Sequence, residues 1–208
     1  MSIVKLNNKA VSNATAFGSI TSLGSMTFIK KLTASSSATL SFVDGSDGVV
    51  LDDTYKEYVF TFKDIHPQNS GANALFEFQG STDGGSTYGV TITSTAFFAY
   101  HNEADSITSL SYDVNDDLAQ STNFQHLCNR THNDNDSCMV GTLQLFNPSS
   151  TTFVKHFLGN CNSMHENPMP INERVAGYFN TTNAINAIQF KFNTGNIDAG
   201  DICLYGIA

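Results

Sequence analysis

The side chains that could do chemistry in this chain are six histidines, four cysteines and a few clusters of acids. His66, His101, His126, His132, His156 and His165 are scattered. No two stand at i+2 or i+4, the spacing that sets two imidazoles on one side of a strand or helix, as a metal or acid–base pair requires. His132 and His165 would meet only through the packing of loops. Cys128, Cys138, Cys161 and Cys203 are irregularly spaced without a C-x-x-C, and reduced thiols are expected. Asp134-Asn135-Asp136 offers oxygens that suit calcium, but the glycine and the closing glutamate of an EF-hand loop are missing. The sequence leaves a structural calcium at Asp134 and Asp136 open. Glu103 with Asp105, or Asp113 with Asp116 and Asp117, could be a glycosidase pair only if two carboxyls faced each other across a sugar at about 5–5.5 or 6.5–9.5 Å. Acidic loops of this kind read as solvated turns. G-x-S-x-G, Walker and dinucleotide patterns are absent, and the glycine-rich Gly80 to Gly85 run lies between strand patterns with no helix to follow. The residues therefore point to no catalytic group, no cofactor and no metal ligand.

Composition narrows the partners. The chain has 208 residues, of which 14% are charged, against about 25% in ordinary soluble domains. Ser, Thr and Asn carry the polarity instead, as on many extracellular or particle-surface β folds. A net charge of -9, with no basic run longer than Lys30-Lys31, argues against a nucleic-acid surface and against an anionic membrane. Residues 1–30 lack a basic segment followed by an apolar one, so no secretory signal is expected, and no stretch approaches the about 18 apolar residues of a membrane span. Four N-x-S/T sequons therefore carry no weight.

The elements come in two parts. Over residues 1–34, Val11, Ala14, Phe17, Ile20, Leu23, Met26, Ile29 and Leu32 recur at a spacing of three. An α-helix turns about 100° per residue, so such a series drifts by about 60° per repeat and cannot stay on one helix face. Gly18, Gly24 and many Ser and Thr also disfavour a helix. An extended arm fits better, burying Val11, Phe17, Ile20, Leu23, Met26, Ile29 and Leu32 against neighbouring subunits. The alternative is a segment laid on its own domain. Residues 34–37, Ala-Ser-Ser-Ser, read as a hinge.

Residues 35–208 read as one β domain. Strand patterns fall at 39–43, 55–63, 74–79, 90–100, 141–146, 152–157, 175–179, 185–192 and 201–207, with 123–127 left open as a further short strand and turns or loops at 44–48, 81–86, 132–136 and 160–174. The centre is 141–158, GTLQLFNPSSTTFVKHFL, two strands joined by a polar turn. Residues 102–120 read as a surface excursion. Sixteen Phe and seven Tyr, with no Trp, supply the interior. About eight or nine antiparallel strands in this length point to an all-β, jelly-roll β-sandwich.

Several segments are similar to known proteins. LNNKAV, SLGSMTFIKKLTASSSATLSF, TYKEYVFTFKDIHP, DLAQST, LFNPSSTTFVKHF and AGYFNTTNAINAIQFKFNTGNIDAGDICLYGI resemble virion structural proteins of tailed phages of marine bacteria, especially cyanophages. The resemblance runs from about Lys5 to Gly206 and implies a non-enzymatic particle component, with no catalytic or cofactor residues to carry over. The expectation is a capsid decoration or tail or fibre component, assembled in the host cytoplasm. It would contact other virion proteins and form a homo-oligomer, a trimer by the arm's period. The rival expectation is a receptor- or glycan-binding tip that meets a host-surface glycan through exposed aromatics among Tyr88, Phe97, Phe98, Tyr100, Tyr112 and Tyr178. The loops 102–117 and 160–174 would be its partner-facing side.

Overall fold

Alternation along the chain sets its strands, because successive side chains on extended backbone point to opposite faces. The computed structural model describes residues 25–69 and 74–208. It has β1 Met26–Thr33, β2 Leu40–Val43, β3 Glu57–Pro67, β4 Phe76–Ser81, β5 Ile92–His101 and β6 Thr108–Tyr112. There follow β7 Gln125–Cys128, β8 Met139–Phe146, β9 Lys155–His165, β10 Met169–Phe179, β11 Ala187–Phe192 and β12 Ile197–Ile207. All neighbours pair antiparallel, in an eight-stranded sheet of order β1-β12-β3-β8-β9-β10-β5-β6 and a four-stranded sheet of order β2-β11-β4-β7. The protein is an all-β sandwich.

Phenylalanines fill the space between the sheets. Phe60 and Phe62 of β3 meet Phe190 of β11 at 5.2 and 5.3 Å between ring centres. Phe42 of β2 meets Phe60, and Phe76 of β4 meets Phe62, each at 5.2 Å. Further along, Phe78 of β4 meets Phe157 of β9 at 5.1 Å and Phe179 of β10 at 6.0 Å. These contacts are edge-to-face, the arrangement that ring quadrupoles favour.

Among the described residues there are twelve strands in place of the expected eight or nine, with β1 and β6 additional and β9 and β10 longer than expected. Residues 160–174, expected as a loop, are the end of β9 and the start of β10, paired from Met169 opposite His165 onward. Pro168 sits in the turn, and Pro170 is exposed on β10. The inward positions of β9 are Gly159, Cys161, Ser163 and His165, all buried, and this small or polar series hides the strand from a search for apolar alternation. The excursion at 102–120 holds β6, paired with β5 from Phe97 opposite Tyr112 to His101 opposite Thr108.

The arm expected to run to residue 34 is corrected from residue 26 onward. Met26–Thr33 is β1, the edge strand of the large sheet, in register with Asp201 to Ile207 of β12. A bulge between Phe28 and Lys30 resets the phase of the strand. Ile29 and Leu32 consequently pack against the protein's own core and are not free for a neighbour, while Met26 stays exposed. Val11, Phe17, Ile20 and Leu23 lie outside the described residues. The expected hinge at 34–37 is also pinned: Ala34 N–H donates to Gly200 O at 2.8 Å, and Ser37 exchanges 2.8 Å bonds with Ile197.

Close strand approach demands small residues at specific points. A Cβ on Gly177 of β10 would lie 2.6 Å from Thr93 O and 2.7 Å from the Phe157 ring. Gly177→Ala is therefore expected to destabilise the fold by about 1–3 kcal/mol through overpacking. Urea unfolding followed by circular dichroism checks this, and an unchanged midpoint would contradict it.

Candidate functional site

An eight-stranded sheet facing a four-stranded one has more inner surface than its partner can cover. β7, the last strand of the small sheet, lies over β9 and β10, so the inner face of β5 and β6 lies beyond it. The segment between β6 and β7 covers part of that overhang. Asp113 N–H donates to Ala96 O at 2.9 Å, Ser94 N–H to Leu118 O at 2.8 Å, and Ser121 and Ile92 exchange bonds of 2.8 and 3.0 Å. The outer half of β5 is left open, and there a cleft of about 370 Å³ forms.

Its apolar wall comes from alternate residues of two strands. Phe98 and Tyr100 of β5 hold their rings nearly parallel, 5.8 Å apart and 13° from coplanar, with Met169 and Ile171 of β10 beside them. The polar wall is Asp113 and Asn115 on one side and Asn129, Arg130, His165 and Asn167 on the other. Asp113 is buried, and its carboxylate accepts from Asn115 N–H at 2.9 Å. Arg130 sits in the left-handed region at φ 55°, which turns the chain sharply after β7. His165 is only 4% exposed, and its Nδ1 accepts from Asn167 N–H at 2.9 Å. Burial keeps this imidazole below its ordinary value. The neutral ring must therefore carry its proton on Nε2, the one polar atom left for the cleft.

Behind the cleft runs a buried ionic chain. Lys191 of β11 meets Glu77 of β4 at 3.2 Å, Glu77 meets His126 Nε2 of β7 at 3.4 Å, and His126 Nδ1 meets Asp116 at 2.7 Å. Asn129 Nδ2 donates to the other Asp116 oxygen at 2.8 Å, which ties the chain to the cleft wall. Burial opposes charge on His126, but contacts with Asp116 and Glu77 prevail and raise it to about 9. Burial likewise opposes charge on Asp116, and the bond from His126 outweighs it and holds that carboxyl below its ordinary value. Glu173 of β10, opposite Phe98 of β5, is fully buried with both carboxyl oxygens unpartnered among the described residues. Burial, reinforced by the Asp116 charge, pushes it up to about 10.

The aromatics expected for a glycan-binding tip are all outside the buried core. Phe98 and Tyr100 line this one cleft on the inner face, and Tyr112, the cross-strand partner of outward-facing Phe97, only borders it. Phe97, paired across from Tyr112, is on the outer face of the sheet, where Tyr178 lies 5.8 Å from His156. Tyr88 borders a separate polar hollow with Gly89 and Thr122. The acids considered as glycosidase pairs diverge. Asp113 lines the cleft, Asp116 is bound to His126, Asp117 accepts from Tyr112 Oη at 2.6 Å, and Asp105 meets His101 at 2.9 Å. Among the described residues no group of three or more His, Cys, Asp or Glu side chains is placed to hold a metal, Asp134 and Asp136 included. All four cysteines are unpaired thiols.

Sequence reasoning does not single out Asn129, Arg130 or Asn167, and it leaves His165 without a partner. The signal is the inward series of β9 that ends at His165, legible only once 160–174 is taken as strand. His132 and His165, which would meet only if loops packed together, are brought into the same neighbourhood by the end of strand β9, where His132 N–H donates to Met164 O at 3.0 Å beside the bridge from Thr131 to His165. No family model, no curated protein and no solved structure matches the chain.

The buried acid gives a pH test. Unfolded Glu173 ionises near the ordinary carboxylate value of about 4.3, while the folded protein keeps the proton up to about 10. Stability from this group is full at low pH and falls as pH rises between those limits. His126 acts in the same direction, its contribution being lost as pH rises through about 9. Glu173→Gln keeps the shape without the acid, and at pH 8 it is expected to stabilise the protein by about 1–3 kcal/mol, with little effect at pH 5. Thermal melts from pH 5 to 9 check this, and parallel curves for variant and parent would contradict it.

Proposed function

We propose that the protein is a non-enzymatic building block of a phage particle, a capsid decoration or a tail or fibre component, whose body is a jelly roll. With β9, β10, β5 and β6 set aside as an extension, the remaining order is β1-β12-β3-β8 against β2-β11-β4-β7. That nested order supports reading the body as a double-sheet jelly roll, a fold at home in viral capsids and lectins. The single observation that supports assembly is an apolar strip where the large sheet ends, uncovered among the described residues. Met26 and Phe28 of β1 are 48% and 56% exposed on the outer face. Phe28 packs edge-on against Tyr205 at 5.7 Å, and Ile207 lies opposite Met26. Such a strip on an edge strand is covered when subunits associate. The neighbours would be other virion proteins and copies of this chain, in a trimer, with the N-terminal segment contributing; the site of action would be the virion.

The second reading, a receptor- or glycan-binding tip, is favoured by one observation of its own: two of the expected aromatics, half-buried Phe98 and Tyr100, lie with rings nearly parallel in a cleft at one end of the sandwich. The two readings are compatible, because the strip and the cleft lie at opposite ends of the large sheet.

Size-exclusion chromatography with light scattering tests the assembly. The full chain should run as a trimer, and the double variant Met26→Ser, Phe28→Ser should run as a folded monomer. A parent that stays monomeric at a few hundred micromolar would overturn this mode of association. Antibody labelling of purified particles whose genome encodes the chain tests the location, and unlabelled particles would overturn it.

A further inference from the structure

We propose that the cleft beside Phe98 and Tyr100 binds a pyranose residue that carries a carboxylate, as part of an acidic polysaccharide. This rests on the glycan-binding reading and gives it a ligand class.

The lining selects among ligands by what each would leave unpaired. A purely aliphatic ligand would strip water from Asp113, Asn115, Asn167, Arg130 and His165 and return no hydrogen bonds, at a cost for every group. A nucleotide would stack on the rings, but its phosphate, at a charge of about -1.5 to -2, exceeds what Arg130 can match as the sole formal cation of the cleft lining, whereas the single charge of one carboxylate does not. A quaternary ammonium would need an electron-rich cage free of cations, and Arg130 stands in its way. A pyranose satisfies both walls. Its C–H face covers Phe98 and Tyr100, and its hydroxyls pair with the amides and with Asp113. At about 370 Å³ the cleft lies near the small end of ligand sites, which span about 300–1,000 Å³.

The carboxylate follows from Arg130 and His165. Among the described residues Arg130 makes no ion pair, in a chain where 19 acids face 10 Lys and Arg. An unpaired guanidinium amid that acid excess is available for an incoming anion, and its planar fork fits a carboxylate in two bonds. Arg130 and His165 line the same cleft. His165 is buried and holds its Nε2–H free, since Nδ1 is committed to Asn167. The two groups thus supply three N–H donors to the cleft, while the Asp113 oxygen not engaged by Asn115 accepts from hydroxyls. Asn129, clamped by Asp116, fixes the backbone next to Arg130.

Calorimetric and saturation-transfer titrations of the full chain with tetragalacturonate and with the neutral galactose tetramer, and with sialyllactose against lactose, test this. The acidic member of at least one pair should bind tenfold or more tightly than its neutral counterpart. Arg130→Gln, at an exposed position, should remove that preference. Tyr100→Leu should weaken both members tenfold or more; Asn167→Ala, on the rim, should weaken both and serves if Tyr100→Leu fails to fold. Equal binding of acidic and neutral members, or an acid preference that survives Arg130→Gln, overturns the carboxylate assignment and leaves the glycan-binding reading standing. No binding of any of the four saccharides overturns both.

Discussion

The structure depends on one contact, the meeting of phenylalanine rings from the two sheets around Phe190. That ring has Phe42, Phe60, Phe62, Phe76 and Phe78 within 5.2–6.3 Å. Each fully buried ring contributes about 1.5–3 kcal/mol of transfer free energy, so this cluster outweighs any single hydrogen bond in the molecule. It also fixes where the small sheet sits. With β2, β11, β4 and β7 centred on these rings, the small sheet cannot also cover β5 and β6, and the unequal widths leave an inner face open.

What fills the gap is polar because the covering segment is polar. Residues 113–131 bring Asp116, Gln125 and Asn129 over β9, β10 and β5, where Ser94, Glu173 and Ser163 point inward. Ser94 donates to Gln125 at 2.5 Å, and Gln125 donates to Asp116 O at 2.6 Å. A buried network of this kind orders its surroundings when each member is paired. Among the described residues the Glu173 oxygens and Asn129 Oδ1 are its unpaired atoms, and burial keeps the proton on Glu173. The cleft wall is therefore rigid on the Asn129 side, and Arg130, one residue further on, is presented from a fixed backbone.

The elements that bury large apolar side chains at alternate positions are plain in the sequence. Phe60 and Phe62, Phe76 and Phe78, Leu143 and Leu145, and Phe190 and Phe192 all lie buried on the strands where alternation puts them. The strands whose inward faces are small or polar are not legible in this way. β9 past Phe157 and β10 before Val175 carry Cys161, Ser163 and Glu173 inward, and two prolines disguise them further. The arm's spacing of three misleads at its C-terminal end, because a bulge at Ile29 makes that spacing compatible with a strand in a sheet. The aromatics of the cleft can be named from sequence, but their cationic and amide partners come from separate segments, and only the fold joins them.

The central claim is that the sheet overhang makes the inner face of β5 a binding surface. Chemical-shift mapping of the labelled chain during addition of tetragalacturonate tests this most directly. The account predicts shifts concentrated at Phe98, Tyr100, Arg130, His165 and Asn167, with the outer-face residues Phe97 and Tyr178 unmoved. Shifts confined to the outer face would contradict it.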